Sequence, residues 1–158
     1  LILHGSISGF IKAAGVAIQG ATGILLQFPL YAGIMGIMAS SGLINSFSLL
    51  LVNNATAETF PFLTFISAGL VNIFVPSGGG QWVIQGPVIG EAAQALGVPL
   101  NKAIMALTYG DQLTNMLQPF WALPLLGITR LKAAEILPYS FILFLAGFII
   151  YGLCLFIF

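Results

Sequence analysis

The sequence predicts an all-α membrane protein, a polytopic helical bundle with a re-entrant helical hairpin and a broken transmembrane helix. Three observations carry that expectation. Hydrophobic residues make up 59% of the chain and charged residues 5%, against about 25% charged in an ordinary soluble domain. So few charges cannot cover a water-facing surface, and disorder would need low hydrophobicity with high net charge. The charges are also grouped: none falls between Lys12 and Glu58, between Glu58 and Glu91, or between Glu135 and Phe158. Each gap has room for at least one run of the roughly 20 apolar residues that cross a bilayer. Finally, the apolar runs are continuous, where a barrel would alternate in strands of about 10 residues.

Taken in order, Leu1 to Gly23 is rich in Gly, Ser and Ala and only moderately apolar. It reads as an amphipathic interfacial helix or the remnant of a membrane segment. The chain opens with neither Met nor a basic n-region, and is expected to be a piece of something longer. Ile24 to Ser40 is predicted as a membrane helix whose Gly33 and Gly36 allow close helix contact. Ser40-Ser41-Gly42 is a break, Leu43 to Val52 is apolar again, and the polar run Asn53 to Thr59 reads as a solvated turn.

Phe60 to Val75 is apolar but would be only roughly 24 Å long as a helix, short of a bilayer core of about 30 Å. It runs into Pro76-Ser77-Gly78-Gly79-Gly80-Gln81, a composition unsuited to a helix interior. A second short segment, Trp82 to Leu96, is interrupted by Gly86-Pro87. The expected hairpin covers about 60–97. Leu100 to Ile128 is long enough to cross, yet carries Gly110-Asp111-Gln112 and Thr114-Asn115 in its middle and Pro119 just beyond. A broken helix over about 100–128 follows. Arg130 and Lys132 form a short basic loop before a final helix over about 134–158, entered through Pro138.

Irregular backbone at membrane depth costs several kcal/mol per bare polar group unless protein or a water-filled cavity satisfies it. Short or Gly/Pro-interrupted segments therefore point to a transporter's binding site. A second hairpin helix beginning near Gly79 to Gln81 would aim free N–H groups and a partial positive charge at the tip. Glycine lets a ligand approach such a backbone closely, and the arrangement suits a carboxylate. No Lys or Arg lies near, so amides, dipoles and hydroxyls must hold the anion. The candidate substrate-binding residues are Ser77, Gly78, Gly79, Gly80 and Gln81, joined by Thr114 and Asn115.

Asp111 is the acid well inside a candidate span, a functional-site hypothesis by default. Thr108, Asn115 and Gln118 lie near it at helical spacing, and the set is expected to couple a cation: Na⁺ on unwound carbonyls and side-chain oxygens, or a proton on Asp111. No other cofactor is expected. Blander alternatives stay open. Pro76 to Gly80 could be an aqueous loop, and Asp111 could cap a helix or pair with Lys102. Trp82, Trp121, Tyr139 and Tyr151 read as interfacial anchors, with Trp82 also placed to pack against an aliphatic tail. The single Cys154 excludes an internal disulfide, and zero net charge gives no reason to expect nucleic acid. With one His, at position 4, no nucleophile–base pair or metal-spaced cluster supports an enzyme.

The run Asn72-Ile73-Phe74-Val75-Pro76-Ser77-Gly78-Gly79-Gly80-Gln81-Trp82, followed by Thr108-Tyr109-Gly110-Asp111-Gln112-Leu113-Thr114-Asn115-Met116, resembles the short-chain fatty acid transporter family. These are bacterial uptake proteins associated with acetoacetate and butyrate degradation. More distantly, the Pro-Ser-Gly-rich tip and the Gly-Asp-x-x-Thr-Asn motif resemble C4-dicarboxylate and aminobenzoyl-glutamate transporters of the ion transporter superfamily. The resemblance implies two inverted repeats, each with a hairpin and a broken helix, working by an elevator-like movement. This chain would be the C-terminal repeat, with Ser77 to Gln81 at the tip and Asp111, Thr114 and Asn115 in the broken helix. It also implies a multi-pass protein of the bacterial inner membrane that moves butyrate or acetoacetate with a coupling cation. Another small carboxylate, or a truncated non-transporting subunit, is the alternative. The expected partners are the carboxylate, the lipid bilayer and the N-terminal half of the same transporter, with a homodimer left open. Positive-inside places the Arg130/Lys132 loop in the cytoplasm, opposite Glu58 and Lys102.

Overall fold

A computed structural model describes residues 2–118 and 122–157, and within them every regular element is helical. After a 3-10 turn at Ile2–His4 come α1 (Ile7–Gly20), α2 (Thr22–Ser40), α3 (Leu43–Val52) and α4 (Phe60–Phe74). Then follow α5 (Gly78–Leu96), α6 (Leu100–Asn115), α7 (Leu123–Thr129) and α8 (Ala133–Ile157). Pro119 and Trp121 lie outside the described residues. Among the described residues, α8 alone is long and apolar enough to cross a membrane unaided, and α1 with α2, taken as one bent pair, makes a second candidate. The predicted Ile24–Ser40 span thus becomes the second limb of that pair.

The short helix α4 is the centre of the bundle. Nine of its fifteen residues are buried, whereas α8 buries only Gly152 and Leu155. That difference accounts for the lengths: a helix sheathed in protein need not match the bilayer, and a lipid-facing one must.

Residue pairs set the directions. Phe60 shares a buried cluster with Ala103 and Leu107, Phe65 and Ala68 meet Gly110, and Asn72 reaches Thr114 and Asn115. Position rises together along both helices, so α4 and α6 run parallel. α8 runs against them, since Leu113 meets Gly147, Tyr109 stacks on Tyr151 at 4.5 Å, and Phe62 meets Phe156. Glu58 and Lys102 therefore lie at one end of the bundle and the Arg130/Lys132 loop at the other.

In lipid, helices associate by close packing around small residues rather than by hydrophobic drive. Here the contact is Gly110: a Cβ there would lie 2.2 Å from the Phe65 carbonyl oxygen and 2.8 Å from Ala68 Cβ. Opposite it, Gly69 faces Thr114 Cγ2. Gly33 and Gly36, expected to make such contacts, have nothing within 4 Å. Their spacing permits a neighbour, but α2 presents that face to none within the described residues.

Three further expectations change. α5 runs unbroken through Gly86-Pro87; Gly86 is small because the Trp82 indole lies over it, where a Cβ would come within 2.8 Å of the ring. α6 stays helical through Gly110-Asp111-Gln112 as far as Asn115, so the change of course falls after Asn115 and the glycine serves packing instead. Tyr151, expected at an interface, belongs to the α6–α8 seam, while Tyr139 is exposed. The polar turn before α4 is exposed and knotted by Thr56 and Thr59, whose hydroxyls lie 3.1 Å apart.

Candidate functional site: the hairpin tip and the end of helix α6

The connection from α4 to α5 is three residues long, Val75-Pro76-Ser77. Val75 and Pro76 are buried and Ser77, Gly78 and Gly79 exposed, so the tip is anchored from behind and open in front. Ser77 is the N-cap of α5, extended at φ −154° and ψ 103°, and its Oγ accepts from the Gly80 N–H at 3.3 Å. The Gln81 N–H donates to the Ser77 carbonyl. The three glycines thus form the first turn of a capped helix rather than a loop. Among the described residues, the Gly78 and Gly79 amides have no acceptor, and they stand at the positive end of the helix dipole.

Asp111 closes this tip from the side. A Cβ on Gly78 would sit 3.3 Å from Asp111 Oδ2 and 3.8 Å from Oδ1. Behind it lies a residue that the site prediction missed. Asn72 of α4 is fully buried, and its Nδ2 donates to the Asp111 carbonyl (2.7 Å), Thr114 Oγ1 (2.9 Å) and Asn115 Oδ1 (2.9 Å). Gln118 Nε2 in turn donates to the Asn72 carbonyl at 2.9 Å. Four of the predicted residues, Asp111, Thr114, Asn115 and Gln118, are therefore gathered around one residue, three by its side chain and Gln118 by its backbone carbonyl. The signal was legible: an amide inside a short apolar run is expensive in a membrane segment and marks a function.

Two predicted residues leave the site. Thr108 is exposed and its hydroxyl donates to the Ile104 carbonyl one turn back, so it points away from the cluster. Gln81 is fully buried, with its Nε2 donating to the Ala68 carbonyl and to Gln85 Oε1, so neither its side-chain nitrogen nor its backbone N–H is free for a ligand at the tip. Lys102, the conceivable partner for Asp111, instead lines a separate cavity with Tyr109 and Cys154.

Buried oxygens without a hydrogen-bond partner concentrate in this cluster: Asn72 Oδ1, Asp111 Oδ1 and Gln118 Oε1. Such atoms are rare in native proteins, and a bound ion is one of the few explanations for them. Among the described residues no three of His, Cys, Asp and Glu come together. The donor set is two neutral amides and one carboxylate, hard oxygens that suit a small cation of low charge.

The profile of the short chain fatty acid transporter family matches residues 1–158. The chain belongs to this family. A relative from Escherichia coli (strain K12) named for short-chain fatty acid transport is 47% identical over 99% of the chain. One from Haemophilus influenzae with the same name is 46% identical over 97%. The chain covers 36% and 35% of these relatives, about a third of their length. No solved structure matches it. Membership in a family of transporters makes this a membrane protein, in keeping with α8 and the exposed apolar surface. Within the family's chain, the described tip and cluster form the candidate site.

Proposed function

We propose that this chain supplies one face of the substrate and cation site of a transporter for short-chain fatty acids such as butyrate or acetoacetate. The observation that carries the reading is the meeting of two unlike halves at one point. On one side are the bare Gly78 and Gly79 amides, which suit a carboxylate. On the other are the bare oxygens of Asn72, Asp111 and Gln118, which suit a cation. The substrate carboxylate sits at the tip, capped by Ser77, with Thr114 and Asn115 behind it. The coupling ion, Na⁺ or H⁺, sits on the α6 side with Asp111.

Coupling follows from charge. Asp111 and a second carboxylate repel each other at such short range, and a cation beside Asp111 removes that penalty. The cation-bound site then holds substrate more tightly, and only such a difference in affinity can bias one access state over another. The remaining parts belong to the same proposal: α4 and α5 as a re-entrant hairpin, α6 and α7 as the two limbs of a broken helix, and an elevator-like movement. So do a multi-pass location in the bacterial inner membrane and completion of the site by the rest of a longer chain.

The test is uptake of labelled butyrate and acetoacetate by vesicles carrying the complete transporter. Uptake is expected to saturate, to fall when either Na⁺ is replaced by choline or the proton gradient is collapsed, and to be lost in Asp111→Asn and Asn115→Ala. Full activity in both variants would refute the site.

A further inference from the structure

The three glycines of the tip have no side chains with which to hold their own place. What holds them lies one residue further on. Gln81 and Gln85, one turn apart on α5, form a buried amide chain across the hairpin. Gln81 Nε2 donates to the Ala68 carbonyl of α4 at 2.9 Å and to Gln85 Oε1 at 2.8 Å. Gln85 Nε2 donates to Ser48 Oγ of α3 at 2.9 Å and to Ser67 Oγ of α4 at 3.0 Å. The Ser48 hydroxyl in turn donates to the Ile44 carbonyl at 2.9 Å. Gln81, Gln85 and Ser48 are 0% exposed and Ser67 1%.

Each amide nitrogen carries two hydrogens, and all four find separate acceptors. Turning the Gln81 amide over would set its oxygen against two other oxygens, so its direction is determined. The chain costs something, because Gln81 Oε1 is buried without a partner, a penalty that an apolar side chain of the same size would avoid. Three helices are thereby pinned together over the first two turns of α5.

We propose that Gln81 and Gln85 are positioning residues. They fix where the Gly78 and Gly79 amides stand relative to Asp111 without touching the carboxylate, and they make α3, through Ser48, part of the unit that holds substrate. This rests on the carboxylate site proposed above, and deepens it by naming what keeps that site in shape.

The experiment uses the complete transporter in proteoliposomes, with Gln81→Met, Gln85→Met, Ser48→Ala and the Gln85→Met/Ser48→Ala pair. At equal protein amounts, Gln81→Met is expected to raise the KM for butyrate about tenfold, with Vmax held within about twofold. Ser48→Ala should raise KM in the same direction although Ser48 belongs to another helix, Ser48→Thr should restore it, and the pair should be no worse than Gln85→Met alone. A second readout needs no substrate: the thiol-labelling rate of Gly79→Cys in a background with Cys154 and every other cysteine of the complete transporter replaced by Ser, expected to rise when Gln81→Met or Gln85→Met is added. If wild-type protein takes up no short-chain carboxylate, the transport reading fails and labelling still decides the positioning role. Unchanged labelling together with unchanged KM overturns the proposal, as does a loss confined to Vmax and protein amount. A KM raised by Gln81→Met but untouched by Gln85→Met and Ser48→Ala also overturns it, making Gln81 a direct ligand.

Discussion

Asp111 of α6 lies against Gly78 at the first turn of α5, so that a methyl group at position 78 would come within 3.3 Å of Asp111 Oδ2. The neighbour is the end of a side chain, which can give by a few tenths of an ångström, and Gly78 is helical rather than left-handed. Gly78→Ala should therefore fold. Its methyl group shields one bare amide and crowds the carboxylate, so the KM for butyrate is expected to rise about tenfold, the loss of roughly one hydrogen bond to a charged group. Kinetics on equal amounts of vesicle protein check this.

Gly110→Ala should behave quite differently. Its Cβ would meet backbone, 2.2 Å from the Phe65 carbonyl oxygen, and neither helix can yield without separating from the other. Overpacking of this kind costs about 3 kcal/mol. The variant is expected to show a lower melting temperature in detergent and reduced amounts in the membrane, whereas Gly36→Ala, with open space around it, should match wild type.

Asn72→Ala removes the donor that gathers Asp111, Thr114 and Asn115. Leaving buried acceptors bare costs about 1–3 kcal/mol, and the acceptors here are candidate ion ligands. Half-saturation by the coupling cation is expected to require roughly 10- to 100-fold more of it, measured as cation dependence of uptake at fixed butyrate. Asn72→Asp should be worse still, since it sets a carboxylate oxygen where the donor stood, facing the Asp111 carbonyl and Asn115 Oδ1.

Ser77 separates a capping role from a ligand role. Its Oγ is engaged with the Gly80 amide, so Ser77→Ala should destabilise the first turn by about 1 kcal/mol. Ser77→Asp keeps a good cap and adds an anion at the mouth of the site. It should melt like wild type yet lose butyrate uptake, and a thermal-shift series run beside transport distinguishes the two effects.

The helical class, the interruption at Pro76 and the proximity of Asp111, Thr114, Asn115 and Gln118 were legible in the residues, because charge scarcity, a proline–glycine cluster and helical spacing are strong local signals. What was not legible depended on direction. Gln81 follows three exposed glycines, and adjacency made it look like a ligand; its i,i+4 relation to Gln85 was the available hint that it faces inward. Gly110 looked like a break because a glycine weakens a helix by about 1 kcal/mol, but that loss is small beside the contact with α4 that only a glycine allows. Gly33 and Gly36 had the spacing of a packing motif without the partner, and no single helix records which of its faces is met. Re-entrance and the direction of movement are properties of a bilayer and of two states, neither of which a helical pattern encodes.

The bond arithmetic at Asn72 has a consequence for how the cluster responds. Two hydrogens face three acceptors within 2.9 Å, so at any instant Asn72 gives a full bond to two of them, and its assignment can rotate among the three with little movement of heavy atoms. Such a junction is frustrated in the sense used for spin systems: no single placement of the two hydrogens reaches all three neighbours. On the cation reading proposed above, an ion arriving there would meet a junction with no settled assignment to break. The contact between the hairpin arm and α6 would then respond to the ion like a sprung catch, stiffening when it is present and yielding when it leaves.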